Sequence, residues 1–377
     1  MKINNGRAWA EIDLSAIRHN ARLFSEMVGK DCKVVPVVKA NAYGHGDIEV
    51  AKALNEIGYD FFAVATAHEG QRLRVNGITG EILILGYTAL QDLEIVVAND
   101  LIQTVLCEDY AEMLESNGKP VRAHIKIDTG MHRIGFDFSD IEHIERIYKS
   151  NVIKAEGIYT HLCASDSPEQ SDIDFTNLQK DKYFSVVNAL RKKGINVGLT
   201  HIQASYGMMN YPEIKADMAR LGITLYGVLS DMNNTLRYEK PDIHPALSLK
   251  ARISMVKYLE KGETVSYGRL FTADKNMKVA TVSIGYADGI PRDYAQRGAY
   301  VLVNEHKAAV IGRVCMDQFI IDVTDAGEVK QDDVAVIIGK DGDAEISVEE
   351  VAQRCGTISY ELFVRLNCRV DYVYINK

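Results

Sequence analysis

Short apolar runs and amphipathic stretches alternate along the first 230 or so residues. The apolar runs predict strands over 33–39, 61–66, 81–86, 102–106, 122–128, 156–162, 198–204 and 216–222. Most lack polar alternation and are rich in Val, Ile and aromatics, as strands covered on both faces should be. The helical period predicts helices over 14–29, 47–58, 67–76, 90–99, 108–117, 140–150, 169–194 and 208–215, with Asp13 and Ser15 offering N-capping oxygens to the first. Eight strands alternating with helices predict an α/β fold, a (β/α)8 barrel of the TIM type. An open doubly wound sheet is the alternative. Its dinucleotide-binding form needs G-x-G-x-x-G after the first strand, where this chain has Ala42-Tyr43-Gly44-His45-Gly46.

The pattern changes near residue 235. The stretch 233–245, NNTLRYEKPDIHP, is polar and proline-bearing and reads as a linker. Beta runs follow at 247–259, 278–286, 299–304, 307–314, 318–324, 333–339 and 371–375, interrupted by one amphipathic helix, Val348–Cys355, capped by Ser347. The chain therefore divides into a barrel, residues 1–235, and a mainly β C-terminal domain, residues 236–377.

Composition narrows the function classes. The 377 residues are 47% hydrophobic and 25% charged, which suits a globular protein with a large core. A net charge of −9 argues against nucleic acid as a partner, although a local basic pocket could still hold an anion. Six scattered cysteines form no C-x-x-C pair, so neither a zinc site nor a disulfide framework is implied. No His/Asp/Glu cluster has ligand spacing, and no metal is expected. No run of about 18 apolar residues and no signal-peptide pattern occurs, which predicts a soluble, cytoplasmic protein without membrane contact.

Barrel active sites gather at the C-terminal ends of the strands. Lys39 stands there after Val34-Val35-Pro36-Val37-Val38. Two readings are open: a lysine pointing into water, or a desolvated amine of lowered pKa able to form a Schiff base with an aldehyde. Arg133 follows strand five, His161 ends strand six, Ser205 follows strand seven, and Arg220 with Gly222 ends strand eight. Ser205 and the backbone N–H groups near Gly222 and Ile223 suit a phosphate, because small residues let the backbone approach an oxyanion. Arg220 could pair with Asp217, but a three-residue spacing in a strand puts the two on opposite faces.

The segment VVKANAYGHG strongly resembles the cofactor-lysine motif of bacterial alanine racemases, fold-type III enzymes of pyridoxal 5′-phosphate (PLP). KIDTGMHRIGF, GIYTHL, DMARLGITLYG, VSYGRLFTA, VSIGYADGIPR, GRVCMDQ and TISYE follow in the family's order and at family-like spacing. The resemblance implies a barrel followed by a β domain, in agreement with the periodicity. It implies that Lys39 holds PLP covalently and acts as one catalytic base, with Tyr267 the base on the opposite face of Cα. Tyr43, Ser205, Gly222, Ile223 and Tyr360 would hold the phosphate. Arg220 would face the pyridine nitrogen, with His161 beside it. Arg133 and the backbone of Met316 and Asp317 would handle the substrate carboxylate. Lys126 matches a lysine that is carbamylated in several members. Tyr267, Tyr286, Met316 and Asp317 would act in trans, in a head-to-tail homodimer.

The chemistry agrees with these roles. Racemisation needs a proton removed from one face and delivered to the other, which two opposed groups do simply. A phenol ordinarily ionises near pH 10, so a tyrosine base needs a cationic neighbour, for which Arg133 is the candidate. A guanidinium is a poor proton donor to a ring nitrogen, so Arg220 should suppress side reactions such as transamination. Alanine is the expected substrate, and D-alanine for peptidoglycan the family's usual product. Serine racemases of glycopeptide resistance resemble the same catalytic unit but carry a smaller residue at the Tyr360 position, so serine is a secondary substrate. The alternative readings are a serine or serine/alanine racemase of that type, a decarboxylase, disfavoured by Arg220, and a PLP carrier, which would lack the second domain.

Overall fold

The computed structural model describes residues 6–230, 232, 236–366 and 369–377; Cys368 and the expected boundary at residue 235 lie outside them. Eight parallel strands form the barrel: Lys33–Pro36, Phe61–Val64, Glu81–Ile84, Ile102–Val105, Val121–Asp128, Ile153–Tyr159, Leu199–His201 and Met218–Leu221. Hydrogen bonds run in ring order from the strand at 61 through those at 81, 102, 121, 153, 199 and 218 to the strand at 33. A parallel bridge between Val37 and Ala63 closes the ring. The strands are short because each ends where a loop turns over the C-terminal face.

Each expected barrel strand is present, and two helices show what sets their limits. Asp13 caps the first helix, Leu14–Val28, accepting from the N–H groups of Ser15 and Ala16. The helix expected over 208–215 instead spans Ser205–Asn210. Pro212 cannot extend it, since it lacks the N–H that the next turn requires.

The C-terminal domain is a nine-stranded, mostly antiparallel sheet whose strand Leu247–Leu259 also pairs with Val334–Asp341. Two of its features escape the sequence pattern. Ala8–Asp13, at the head of the barrel segment in sequence, is a strand of this second sheet. It lies antiparallel to Leu247–Leu259 and parallel to the terminal strand Asp371–Ile375. The other is the helix Ser359–Arg365, which reaches from this domain back to the mouth of the barrel. The N-terminus thus ties the two ends of the chain together, and one continuous apolar core runs through both units. Among the described residues no helix is long and apolar enough to cross a membrane.

Ile12 is wholly buried in that N-terminal strand. Ile12→Ala should lower the unfolding free energy by about 2–5 kcal/mol, read from the urea midpoint. An unchanged midpoint would show that the strand is peripheral to the fold.

Candidate active site

Lys39 follows directly on the barrel's closing bridge, and the chain turns there in an unusual way. Ala40, Asn41, Ala42 and Tyr43 all have φ between 50° and 55°, a single left-handed turn built without glycine. L-residues disfavour this region by roughly 1–2 kcal/mol each, so the turn must be held from outside. Glu69 accepts from the Ala40 N–H at 2.8 Å, and the Asn41 carboxamide oxygen accepts from the Asp47 N–H at 3.2 Å. Ala42 N–H donates to Val38 at 2.9 Å and Gly46 N–H to Asn41 at 2.9 Å. Gly44 and Gly46 must be glycine, because a Cβ would meet the Phe363 carbonyl at one and the Tyr374 hydroxyl at the other. The turn presents the Lys39 amine to a cavity of about 770 Å³. The amine makes no ion pair or hydrogen bond among the described residues. Burial, with Arg133 and Arg220 nearby, pushes its pKa down despite Glu69.

Lys39, Tyr43, Lys126, Arg133, His161, Ser205, Arg220, Gly222, Ile223 and Tyr360 all line this one cavity. Its far wall is Arg220, a buried guanidinium that pairs with no carboxylate among the described residues. Arg220 donates to His201 Nδ1 at 2.7 Å, to the carbonyls of Thr160 and Ile202 at 2.8 and 3.3 Å, and to His161 Nδ1 at 3.2 Å. Asp217 faces the other way and accepts from Thr200. Because a guanidinium only donates, His201 must carry its proton on Nε2. That N–H then donates to His124 Nδ1 at 2.9 Å, which leaves the second proton on the buried His124 Nε2. Burial and the surrounding cations hold His124, His161 and His201 below the usual imidazole range, so all three are neutral near pH 7. Lys126 donates to the Ile127 carbonyl at 2.6 Å. Burial first and Arg220 second bring its amine down to about 7.

An oxyanion cradle occupies the end of the cavity near Gly222. Ser205 Oγ accepts from the N–H groups of Gly222 and Thr224 at 3.1 and 3.4 Å. A Cβ at Gly222 would stand 3.4 Å from the Tyr43 hydroxyl and 3.6 Å from Ser205 Oγ, into the same space. Burial raises the Tyr43 and Tyr360 phenols, which keeps both as neutral donors. The rings of Tyr43 and Tyr360 form one wall, with centroids 5.8 Å apart, and Tyr226 packs against Tyr43 from outside the cavity at 5.0 Å. The residues thus fit a phosphorylated aldehyde with an aromatic ring: a reactive amine, a phosphate cradle and a fixed cation opposite.

Tyr267, Tyr286, Met316 and Asp317 do not line the cavity of their own chain. They lie together on the second domain. Tyr286 N–H donates to Cys315 and Ala287 N–H to Met316, both at 3.0 Å. Ser266, at φ 64°, is pinned through its Oγ to the Arg313 carbonyl at 2.6 Å and presents Tyr267 outward. Tyr267 is 65% exposed and Met316 52%.

Family comparison gives this geometry a context. The family models for the alanine racemase N-terminal and C-terminal domains match residues 12–230 and 246–374. The chain belongs to the alanine racemase family. An alanine racemase from Carboxydothermus hydrogenoformans is 40% identical over 371 residues, covering 97% of this chain and 99% of the relative. An "Amino-acid racemase" of Enterococcus faecalis is 39% identical over 367 residues; the chain spans 51% of that longer protein. The crystal structure of the Bacillus anthracis alanine racemase with bound L-Ala-P superposes with a TM-score of 0.90 at 32% identity, over 98% of this chain and 95% of that one.

Several residues around the family's cavity carried no sequence signal strong enough to single them out. Tyr159 stacks on His201, with centroids 4.5 Å apart, and lies 5.1 Å from the Arg220 guanidinium. His124 shares the inward face of its strand with Lys126 two residues on, a spacing that could have exposed it. Cys163 is exposed at the cavity, with its Sγ 3.4 Å from Gln179 Oε1. One group of metal-type ligands does come together despite the sequence spacing: His19, Asp242 and His244, on the surface. The two imidazoles stack at 3.9 Å within 7° of parallel, so their in-plane lone pairs run side by side instead of converging.

The left-handed turn makes a stability prediction. Ala40 is exposed at φ 52°, so Ala40→Gly should raise the unfolding free energy by about 1 kcal/mol. A lower melting temperature would mean that the turn is not strained.

Proposed function

We propose that the chain is a PLP-dependent alanine racemase, with Lys39 and Tyr267 of the partner subunit as bases on opposite faces of the substrate's Cα. The observation that carries this reading is the convergence of the depressed Lys39 amine, the Tyr43–Ser205–Gly222 cradle and the carboxylate-free Arg220 in one cavity. When bound, PLP supplies the electron withdrawal that makes an α-proton removable. Lys39 Nζ is the covalent anchor and the base on its face. Tyr43, Ser205, Gly222, Ile223 and Tyr360 hold the phosphate. Arg220, flanked by His161, opposes the ring nitrogen without surrendering a proton, which favours simple proton return over side reactions. Arg133, an exposed cation with no ion pair among the described residues, takes the substrate carboxylate together with the backbone of Met316 and Asp317 of the partner subunit. Tyr286 of the partner subunit narrows the entrance.

The exposure of Tyr267 supports a head-to-tail homodimer, because a base 65% open to water cannot complete a dry site in its own chain. Five free cysteines among the described residues suit a reducing cytoplasm, and D-alanine for peptidoglycan is the proposed use of the product. Lys126 is a site for carbamylation: its amine, brought to about 7, is largely neutral at pH 8, the form that adds carbon dioxide. The resulting anion would sit beside Arg133. Serine is a secondary substrate, a reading favoured by the broader name of the Enterococcus faecalis relative. Sterics at Tyr360 discriminate one small group by only about 1–3 kcal/mol.

Lys39→Ala should abolish the visible absorption band of PLP bound to the lysine, together with all racemisation. Tyr267→Phe should damage α-proton exchange of the two alanine enantiomers unequally. Mixing these two inactive variants tests the shared site. With Tyr267 in trans, random re-association should restore about a quarter of wild-type activity; in cis, nothing returns. Intact mass at pH 8 with and without bicarbonate should reveal an added carbon dioxide that Lys126→Ala lacks.

A further inference from the structure

We infer that Tyr206 sets the serine-to-alanine preference by holding Tyr360 in place through Ser230 and Ser359. This rests on the racemase reading above. Tyr206 lines the cavity, yet its hydroxyl turns away to the segment that leaves the barrel. It accepts from the Ser230 N–H at 2.8 Å and shares a second hydrogen bond of 2.8 Å with Ser230 Oγ. The Ser230 carbonyl in turn accepts from the Ser359 N–H at 2.8 Å and from Ser359 Oγ at 3.1 Å. All three residues are buried.

Ser359 opens the helix Ser359–Arg365, and that helix has no side-chain N-cap. The first N–H groups of a helix need acceptors from outside it, and here the Ser230 carbonyl supplies one. Tyr360 is the next residue. Its ring forms the cavity wall against Tyr43 and makes no hydrogen bond of its own among the described residues. Apart from the phosphate that its hydroxyl would meet, the position of the wall is set by the helix start, and the helix start by the bridge to Tyr206. Removing the Tyr206 hydroxyl deletes both hydrogen bonds that tie Ser230 to this barrel residue, and the loss of buried hydrogen bonds favours a shift of the Ser230 carbonyl and of the helix start bonded to it. Retreat of Tyr360 opens space next to the substrate side group, which a hydroxymethyl needs and a methyl does not. Tyr206 is thus a positioning residue acting through Tyr360.

Tyr206→Phe keeps the ring and deletes only the hydroxyl. The PLP-loaded variant should show a serine-to-alanine ratio of kcat/KM raised about two- to tenfold, the range expected from one buried hydrogen bond. Ser359→Ala, which loses one of two donors, should shift the ratio the same way by less, and serves if the first variant does not fold. Hydrogen exchange gives a readout independent of turnover: amides of Ile358–Arg365 should exchange faster in Tyr206→Phe, while those of Val121–Asp128 stay unchanged. An unaltered ratio, equal loss with both substrates, or unaltered exchange at Ile358–Arg365 would overturn the inference. A wild type inactive on alanine would instead overturn the racemase reading, and the exchange measurement would still decide whether the bridge holds the helix.

Discussion

A guanidinium sealed from water with only neutral partners governs the chemistry of this cavity. Burying an unpaired charge is expensive unless hydrogen bonds replace its hydration. Arg220 finds them in two carbonyls and two imidazoles. That choice propagates. His201 and His124 are locked into one tautomer each and kept neutral, Lys126 loses much of its basicity, and the cavity is left with positive charge that no buried acid cancels. Such a cavity attracts phosphate and carboxylate. Its buried cation is a guanidinium, a group that donates hydrogen bonds and gives up a proton only reluctantly.

The second constraint is mechanical. The bridge from Val37 to Ala63 closes the barrel two residues before Lys39, so the lysine's position is tied to the closed ring of strands. The left-handed turn after it stores strain that Glu69, Asp47 and the Val38 carbonyl offset. Strained backbone held by surrounding structure is common where a side chain must be presented in one orientation. The second domain does the same with Ser266 and Tyr267. The N-terminal strand and the helix carrying Tyr360 lock that domain onto the barrel mouth.

The regular elements were legible because most barrel strands are continuous apolar runs and most of the helices between them carry an apolar stripe. The elements that escaped lacked those signals. Ala8–Asp13 alternates too briefly to reveal its distant partners, and Ser359–Arg365 is a two-turn helix whose start is held by tertiary contacts. Within the site, Lys39, Arg133, His161, Ser205 and Arg220 were readable as polar groups at strand ends. His124 and His201 were not, since a histidine on an apolar strand most often only fills the core.

Local periodicity and motifs spaced along the chain are enough to specify the barrel, the β domain, a lysine at the end of the first barrel strand and the family. The tertiary fold sets which lysines are less basic than usual, which imidazole nitrogen accepts, and what the helix start carrying Tyr360 is bonded to. Those properties arise from burial and from contacts between residues far apart in sequence, such as Arg220 with His161 and Ser359 with Ser230. It also decided that Tyr267 faces outward, away from the cavity of its own chain, because Ser266, pinned to the Arg313 carbonyl, turns it toward the surface.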